Sequence, residues 1–165
     1  MQAIEEKLLL YRIKIKHDPD AFAILYDRYV EPIYRYVYFK VSQAEEAEDI
    51  TSEVFLKAWQ YLIAGADKDV QNFRPFVYTI ARNCIIDLYR QRLKRNTAPL
   101  KDAEQVVDPR NVAEAVAATA DVAVLLRTIK KLKQEYQEVI LLRHVEGLSL
   151  GEMAAIMGRS GVATR

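Results

Sequence analysis

Apolar residues recur every three or four positions along most of this chain, and only five glycines and five prolines stand among its 165 residues. That period is the repeat of an α-helix with one buried face. The residues filling the other positions are mainly Ala, Glu, Lys and Arg, which lose little freedom on entering a helix. The pattern predicts an all-α protein.

Helix boundaries can be read from local chemistry. Asp18 before Pro19 predicts an N-cap and first helical position. Phe22, Leu25, Tyr26, Tyr29, Ile33, Tyr36 and Val37 follow at helical spacing, with Pro32 expected to kink or divide the helix. A second helix is expected from about Ala44 to Leu62. Ala47, Ile50, Val54, Ala58, Tyr61 and Leu62 share one face, and Glu46, Asp49 and Glu53 share the other. Ile63 to Asn72 breaks the period at Gly65 and predicts a loop. A third helix is expected from about Pro75 to Lys94, with Val77, Ile80, Ala81, Cys84 and Leu88 as its buried stripe.

From Asn96 to Ala120 the period fades around Pro99 and Pro109, as in a tether. It resumes near Asp121 with Val122, Leu125, Leu126, Ile129 and Leu132, then with Tyr136, Val139, Ile140 and Leu142 as far as Gly147. The expected architecture is two small helical domains, 1–95 and 121–165, joined by a linker over 96–120.

Net charge is only +1, but the charges are segregated. Between Ala44 and Ala58, Glu45, Glu46, Glu48, Asp49 and Glu53 face Lys57 alone. Between Arg74 and Arg95, Arg74, Arg82, Arg90, Arg92, Lys94 and Arg95 face Asp87 alone. Opposite signs on neighbouring helices suggest two partners of opposite charge, although solvated helix faces also carry such runs. Cys84 is the single cysteine, which rules out an internal disulfide, and it is expected to be buried and inert. The charged N-terminus, with Glu5, Glu6 and Lys7, has no signal-peptide core, so a cytoplasmic protein is expected. His17 and His144 fall in no metal-ligand or triad pattern. No cofactor, metal or catalytic centre is expected, and His144 is expected to be structural.

Two segments suggest nucleic acid. Ser149-Leu150-Gly151-Glu152 is a capping box, followed by Met153, Ala154, Ile156 and Met157, a turn glycine at Gly158 and a second cap at Ser160. A short capped helix, a small residue and a glycine turn make the plan of a helix-turn-helix. In the third helix, Tyr78, Arg82, Asn83, Ile86, Tyr89 and Arg90 are expected to face outward, ahead of Arg92, Lys94 and Arg95. Cations track phosphates while aromatic rings replace lost stacking, at about 1–3 kcal/mol per base. Opening duplex DNA costs about 1.4 kcal/mol per step, so a few such contacts can hold a short bubble. The acidic face of Glu46, Asp49 and Glu53, bordered by Ser52, Leu56 and Trp59, would repel DNA and is expected to face a protein.

Three motifs in order resemble the extracytoplasmic-function sigma factors of bacterial RNA polymerase. Ala47-Glu48-Asp49-Ile50-Thr51-Ser52-Glu53-Val54-Phe55-Leu56-Lys57-Ala58-Trp59 resembles the polymerase-binding helix of region 2. Phe73-Arg74-Pro75-Phe76-Val77-Tyr78-Thr79-Ile80-Ala81-Arg82-Asn83, with Ile86-Asp87 and the basic tail, resembles the promoter-melting helix. Glu135-Tyr136 through Gly147-Leu148-Ser149 to Gly158 is similar to region 4.

The resemblance implies that Glu48, Asp49, Ser52, Glu53 and Phe55 lie on the segment docking on the clamp helices of core RNA polymerase. It implies that the loop ending at Asn72 captures a flipped base of the minus-ten element. It implies that Asn83 and the basic residues after it, Arg90, Arg92, Lys94 and Arg95, approach the melted strand, where the reading of the helix face already places Tyr78, Arg82 and Tyr89. Arg159, Ser160, Thr164 and Arg165 would meet the minus-thirty-five element as duplex DNA, and an anti-sigma protein is the implied regulator. After Ser160 only Gly161-Val162-Ala163-Thr164-Arg165 remain, so the recognition helix is expected to be incomplete as written.

A tether of about 25 residues spans at most roughly 80 Å, enough for two DNA sites at least roughly 34 Å apart. Free in solution, the two domains could instead collapse on each other. A stand-alone helix-turn-helix regulator would explain the C-terminal motif but not the acidic helix, and would not co-elute with polymerase core.

Overall fold

The computed structural model describes residues 2–65, 70–95 and 120–158, with side chains over 4–65, 70–94 and 124–158. The tether, the centre of the loop after Gly65, the Arg95 side chain, and Arg159, Ser160, Thr164 and Arg165 lie outside the described residues. All the described elements are helical: α1 (Gln2–Lys16), α2 (Pro19–Val41), α3 (Ala44–Ile63), α4 (Phe73–Arg95), α5 (Ala120–Lys130), α6 (Gln134–Ile140) and α7 (Leu150–Met157). A π-helical turn, Leu141–Val145, continues α6.

Helix α2 begins as its sequence requires. Asp18 Oδ1 accepts the amides of Asp20 and Ala21 at 3.0 and 3.2 Å, and Pro19 fills the first position, which needs no N–H. Of the two outcomes expected at Pro32, division does not occur, and the helix runs unbroken from Pro19 to Val41. Proline removes one backbone bond, and the packing of Tyr29, Ile33, Tyr36 and Val37 in the core holds the segment across that gap.

Helix α1 carries no clean apolar stripe, because Leu9, Leu10 and Ile13 are buried while Ile4, Leu8, Tyr11 and Ile15 are exposed. Its docking is specified by a polar residue. Glu6 accepts Tyr29 Oη–H at 2.8 Å with one carboxylate oxygen and the Phe73 amide at 2.8 Å with the other. One side chain thus joins α1 to α2 and to the first turn of α4, where the free amides of a helix N-terminus favour an anion.

Helices α1–α4 enclose an apolar core of Ile13, Leu25, Ile33, Val37, Val54, Leu62, Phe73 and Val77. The C-terminal helices add to this core, because Leu142, Leu148, Met153 and Ile156 belong to the same cluster and α7 packs on α4. The last turns of α2 record that enclosure. Tyr36, Val37, Tyr38 and Phe39 are buried in succession, which requires neighbours on every side of the helix. Val37 faces the first core, and Phe39 joins Ile129 and Leu141 in a second.

Within the C-terminal helices the capping box is present. Ser149 Oγ accepts the Glu152 amide at 3.3 Å, and Glu152 accepts the Ser149 amide at 2.8 Å. Gly158 closes α7 at φ 62°, a left-handed conformation that a side chain would strain.

Candidate functional site

Two surfaces carry the chemistry anticipated from the sequence, and they differ in access. On α3, Glu48, Asp49, Ser52 and Glu53 are exposed along the outer face, and Leu56 beside them is 56% exposed. Glu53 pairs with Lys57 at 2.6 Å, a bond that pushes the lysine pKa upward. Phe55 points the other way. It is buried at 3% exposure and edges onto Tyr26 and Phe22, with ring centroids at 4.7 and 6.5 Å. Phe55 thus offers a partner no open surface, and its ring packs the acidic helix against α2.

On α4 the expected outward face is largely covered. Tyr78 has no exposure, and its Oη–H donates to Glu146 Oε2 at 2.6 Å. Arg82 Nε–H donates to Glu138 Oε1 at 2.9 Å, and Tyr36 Oη–H donates to the same oxygen at 2.9 Å. Arg74 donates to the Glu146 carbonyl, and Arg35 lies 3.7 Å from the Glu146 carboxylate. Burial, reinforced by each glutamate, pushes the Tyr36 and Tyr78 pKa values far up, so both phenols remain protonated donors.

The expectation that Tyr78 faces outward is thus corrected. Helical spacing does not distinguish a side exposed to solvent from one covered by a distant segment. Tyr89 is half-buried and donates to the Lys40 carbonyl at 2.7 Å. Arg92 grips both oxygens of Glu46 at 2.5 and 2.7 Å, which ties the basic end of α4 to the acidic start of α3. Asn83, Arg90 and Lys94 are exposed, with Arg90 paired to Asp87 at 3.3 Å. Asn72 is exposed, and its Oδ1 accepts the Arg74 amide at 3.1 Å, bracing the start of α4.

The two charged surfaces meet at a groove of about 400 Å³ lined by Glu53, Lys57, Cys84, Asp87, Arg90 and Lys94. Cys84 is buried as expected, and burial raises its pKa, leaving a neutral thiol 3.5 Å from Lys57 Nζ. His144 was expected to be structural but is exposed on the π-helical turn. Among the described residues, no cluster of three or more His, Cys, Asp or Glu is placed to hold a metal, and no helix is long and apolar enough to cross a membrane.

Residues 25–95 match the family described as Sigma-70 region 2, and residues 123–161 match Sigma-70 region 4. The sigma factor SigW of Bacillus subtilis is 30% identical over 163 residues, covering 92% of this chain and 86% of SigW. The chain belongs to the extracytoplasmic-function sigma factors. It is therefore a subunit that binds core RNA polymerase and directs promoter recognition and initiation, and not a stand-alone regulator.

The sigma factor BldN of Streptomyces coelicolor is 36% identical over 146 residues, which are 87% of this chain and 54% of BldN. The solved structure of CnrH in complex with the cytosolic domain of CnrY shares the fold at a TM-score of 0.70 and 24% identity. It covers 97% of this chain and 87% of CnrH. In this sigma factor Glu48, Asp49, Ser52 and Glu53 share one exposed helix face while Phe55 lies beneath it, and the expected strand-facing residues are split between open and covered positions. Glu6, Glu138 and Glu146 carry much of the positioning and were missed from the sequence. The available signal was only a carboxylate beside apolar residues, as at Glu138-Val139-Ile140, and that signal is common on helix surfaces.

Proposed function

We propose that core RNA polymerase docks on the outer face of α3 through Glu48, Asp49, Ser52 and Glu53, with Phe55 holding that helix in place. The observation that carries this reading is the acidic row, exposed beside the apolar Leu56. A desolvated apolar contact ringed by charge suits a protein partner, and the charge repels nucleic acid.

The melted minus-ten strand is the partner proposed for α4. Asn83, Arg90 and Lys94 are accessible, Tyr89 and Arg92 border them, Arg95 follows in sequence, and Asn72 stands at the helix start. Tyr78 and Arg82 join this set when the C-terminal helices move away. Residues 1–95 act as the docking and melting unit, 96–120 as the connection, and 121–165 as the unit addressing duplex DNA, with Arg159, Ser160, Thr164 and Arg165 toward the minus-thirty-five element. The protein works in the cytoplasm beside the polymerase, catalyses no reaction itself, and is held in check by an anti-sigma protein.

The test is reconstitution. Full-length chain mixed with core polymerase should co-elute on gel filtration and support run-off transcription from genomic fragments. Failure to co-elute would reject the proposal.

A further inference from the structure

We infer that Glu138 and Glu146 form an autoinhibitory latch, holding region 4 across the strand-binding helix until polymerase separates the two halves. The inference rests on the proposed reading of α4 as the helix that takes the melted strand.

Both carboxylates are buried, at 6% and 7% exposure, in the segment leading into the helix-turn-helix. Burying a carboxylate is costly unless donors replace its water, and here every donor identified comes from region 2. Glu138 Oε1 takes Tyr36 Oη–H and Arg82 Nε–H, both at 2.9 Å. Glu146 Oε2 takes Tyr78 Oη–H at 2.6 Å, with the Arg35 guanidinium 3.7 Å away. The Glu146 carbonyl takes Arg74. Arginines interleaved with tyrosines are what a single strand needs, because guanidinium donates to phosphate as it donates to carboxylate and the ring offers a stacking face. The two glutamates occupy the positions on this surface that the strand's phosphates would take.

Apolar packing alone would join the halves without these charges, since Leu142, Leu148, Met153 and Ile156 already enter the common core. Buried ion pairs add little net attraction over apolar groups, but they fix the register and make a competing anion an effective opponent. The closed form leaves the acidic face of α3 exposed while covering Tyr78. The order of events follows from that asymmetry. Polymerase engages the closed molecule first, and DNA contacts open afterwards, so free sigma factor does not occupy single strands unproductively.

The experiment compares the full chain with its Glu138→Gln, Glu146→Gln double variant, each carrying a dye pair at Ala23→Cys and Ala155→Cys. Both labelled positions are exposed, while Cys84 is buried. Energy transfer reports the separation of the halves, and anisotropy of a labelled oligothymidine reports strand binding. The double variant is expected to show lower transfer and about ten-fold tighter oligothymidine binding, the size of a typical coupling between sites. Unchanged transfer and unchanged affinity overturn the latch alone. Opening without any gain in binding overturns the strand-binding reading of α4 beneath it. Should the double variant lose its helical circular dichroism, Glu138→Gln alone carries the same expectation in the same direction, and no change in it overturns the latch.

Discussion

Arg82 Nε lies 2.9 Å from Glu138 Oε1, joining residues 56 positions apart and placing a region 4 carboxylate on a cation of α4. Glu138 also receives the buried Tyr36 hydroxyl, so one side chain ties α6 to both α2 and α4. Each half of the molecule thereby supplies what the other's buried polar groups require.

Charge reversal on the docking face separates binding from folding. Asp49→Lys with Glu53→Lys is expected to weaken co-elution with polymerase core by roughly ten- to a hundred-fold, as like charges meet across a complementary interface. Both side chains are exposed, so stability should shift by no more than about 0.5 kcal/mol per substitution. Retained binding in gel filtration would contradict the docking assignment.

Tyr78 gives two different results by substitution. Tyr78→Ala empties a fully buried site and is expected to cost about 3–5 kcal/mol in chemical denaturation. Tyr78→Phe keeps the ring but removes the donor to Glu146, for about 1–3 kcal/mol. With ring and fold retained, permanganate footprinting of Tyr78→Phe should show thymines in the promoter bubble as reactive as with the original protein.

Lys130 makes the closed form sensitive to pH. Its ammonium donates to Ser42 Oγ at 2.8 Å and stands 5.2 Å from the Phe39 ring centroid, yet burial pushes its pKa from 10.5 down to about 8. The closed form therefore binds fewer protons than the open one between pH 8 and 10.5, and closure strengthens as pH rises through that window. Below pH 8 the penalty for burying the charge is fully present. Energy transfer between the halves should rise from pH 7.5 to 9.5, and Lys130→Met should flatten that response.

Ser149→Ala removes the Oγ acceptor of the Glu152 amide and is expected to cost about 1 kcal/mol in denaturant. Ser149→Gly should cost only a few tenths of that unit, roughly, because glycine leaves the cap open to water. Equal losses in the two variants would show that the hydroxyl acts elsewhere than at the cap.

Local chemistry in the sequence determined much of this protein. Asp18-Pro19 and the box from Ser149 to Glu152 named two helix starts, because a cap bonds amides only two or three residues away. The spacing of Ala47, Ile50, Val54 and Ala58 chose the buried side of α3, and by exclusion the exposed acidic side, because a helix turns through a known angle per residue. Helix α1 escaped that reading, since apolar residues stand on two of its sides and the polar Glu6 helps to place it. Only the tertiary structure decided which face of α4 is open. Tyr78 and Asn83 both pass as outward on a helical projection, yet one meets Glu146 and the other meets solvent. Periodicity reports how a segment is divided into faces. What covers a face is set by long-range packing and by the pairing of buried charges, which for Glu138 and Glu146 have partners 56 to 102 and 68 residues away respectively.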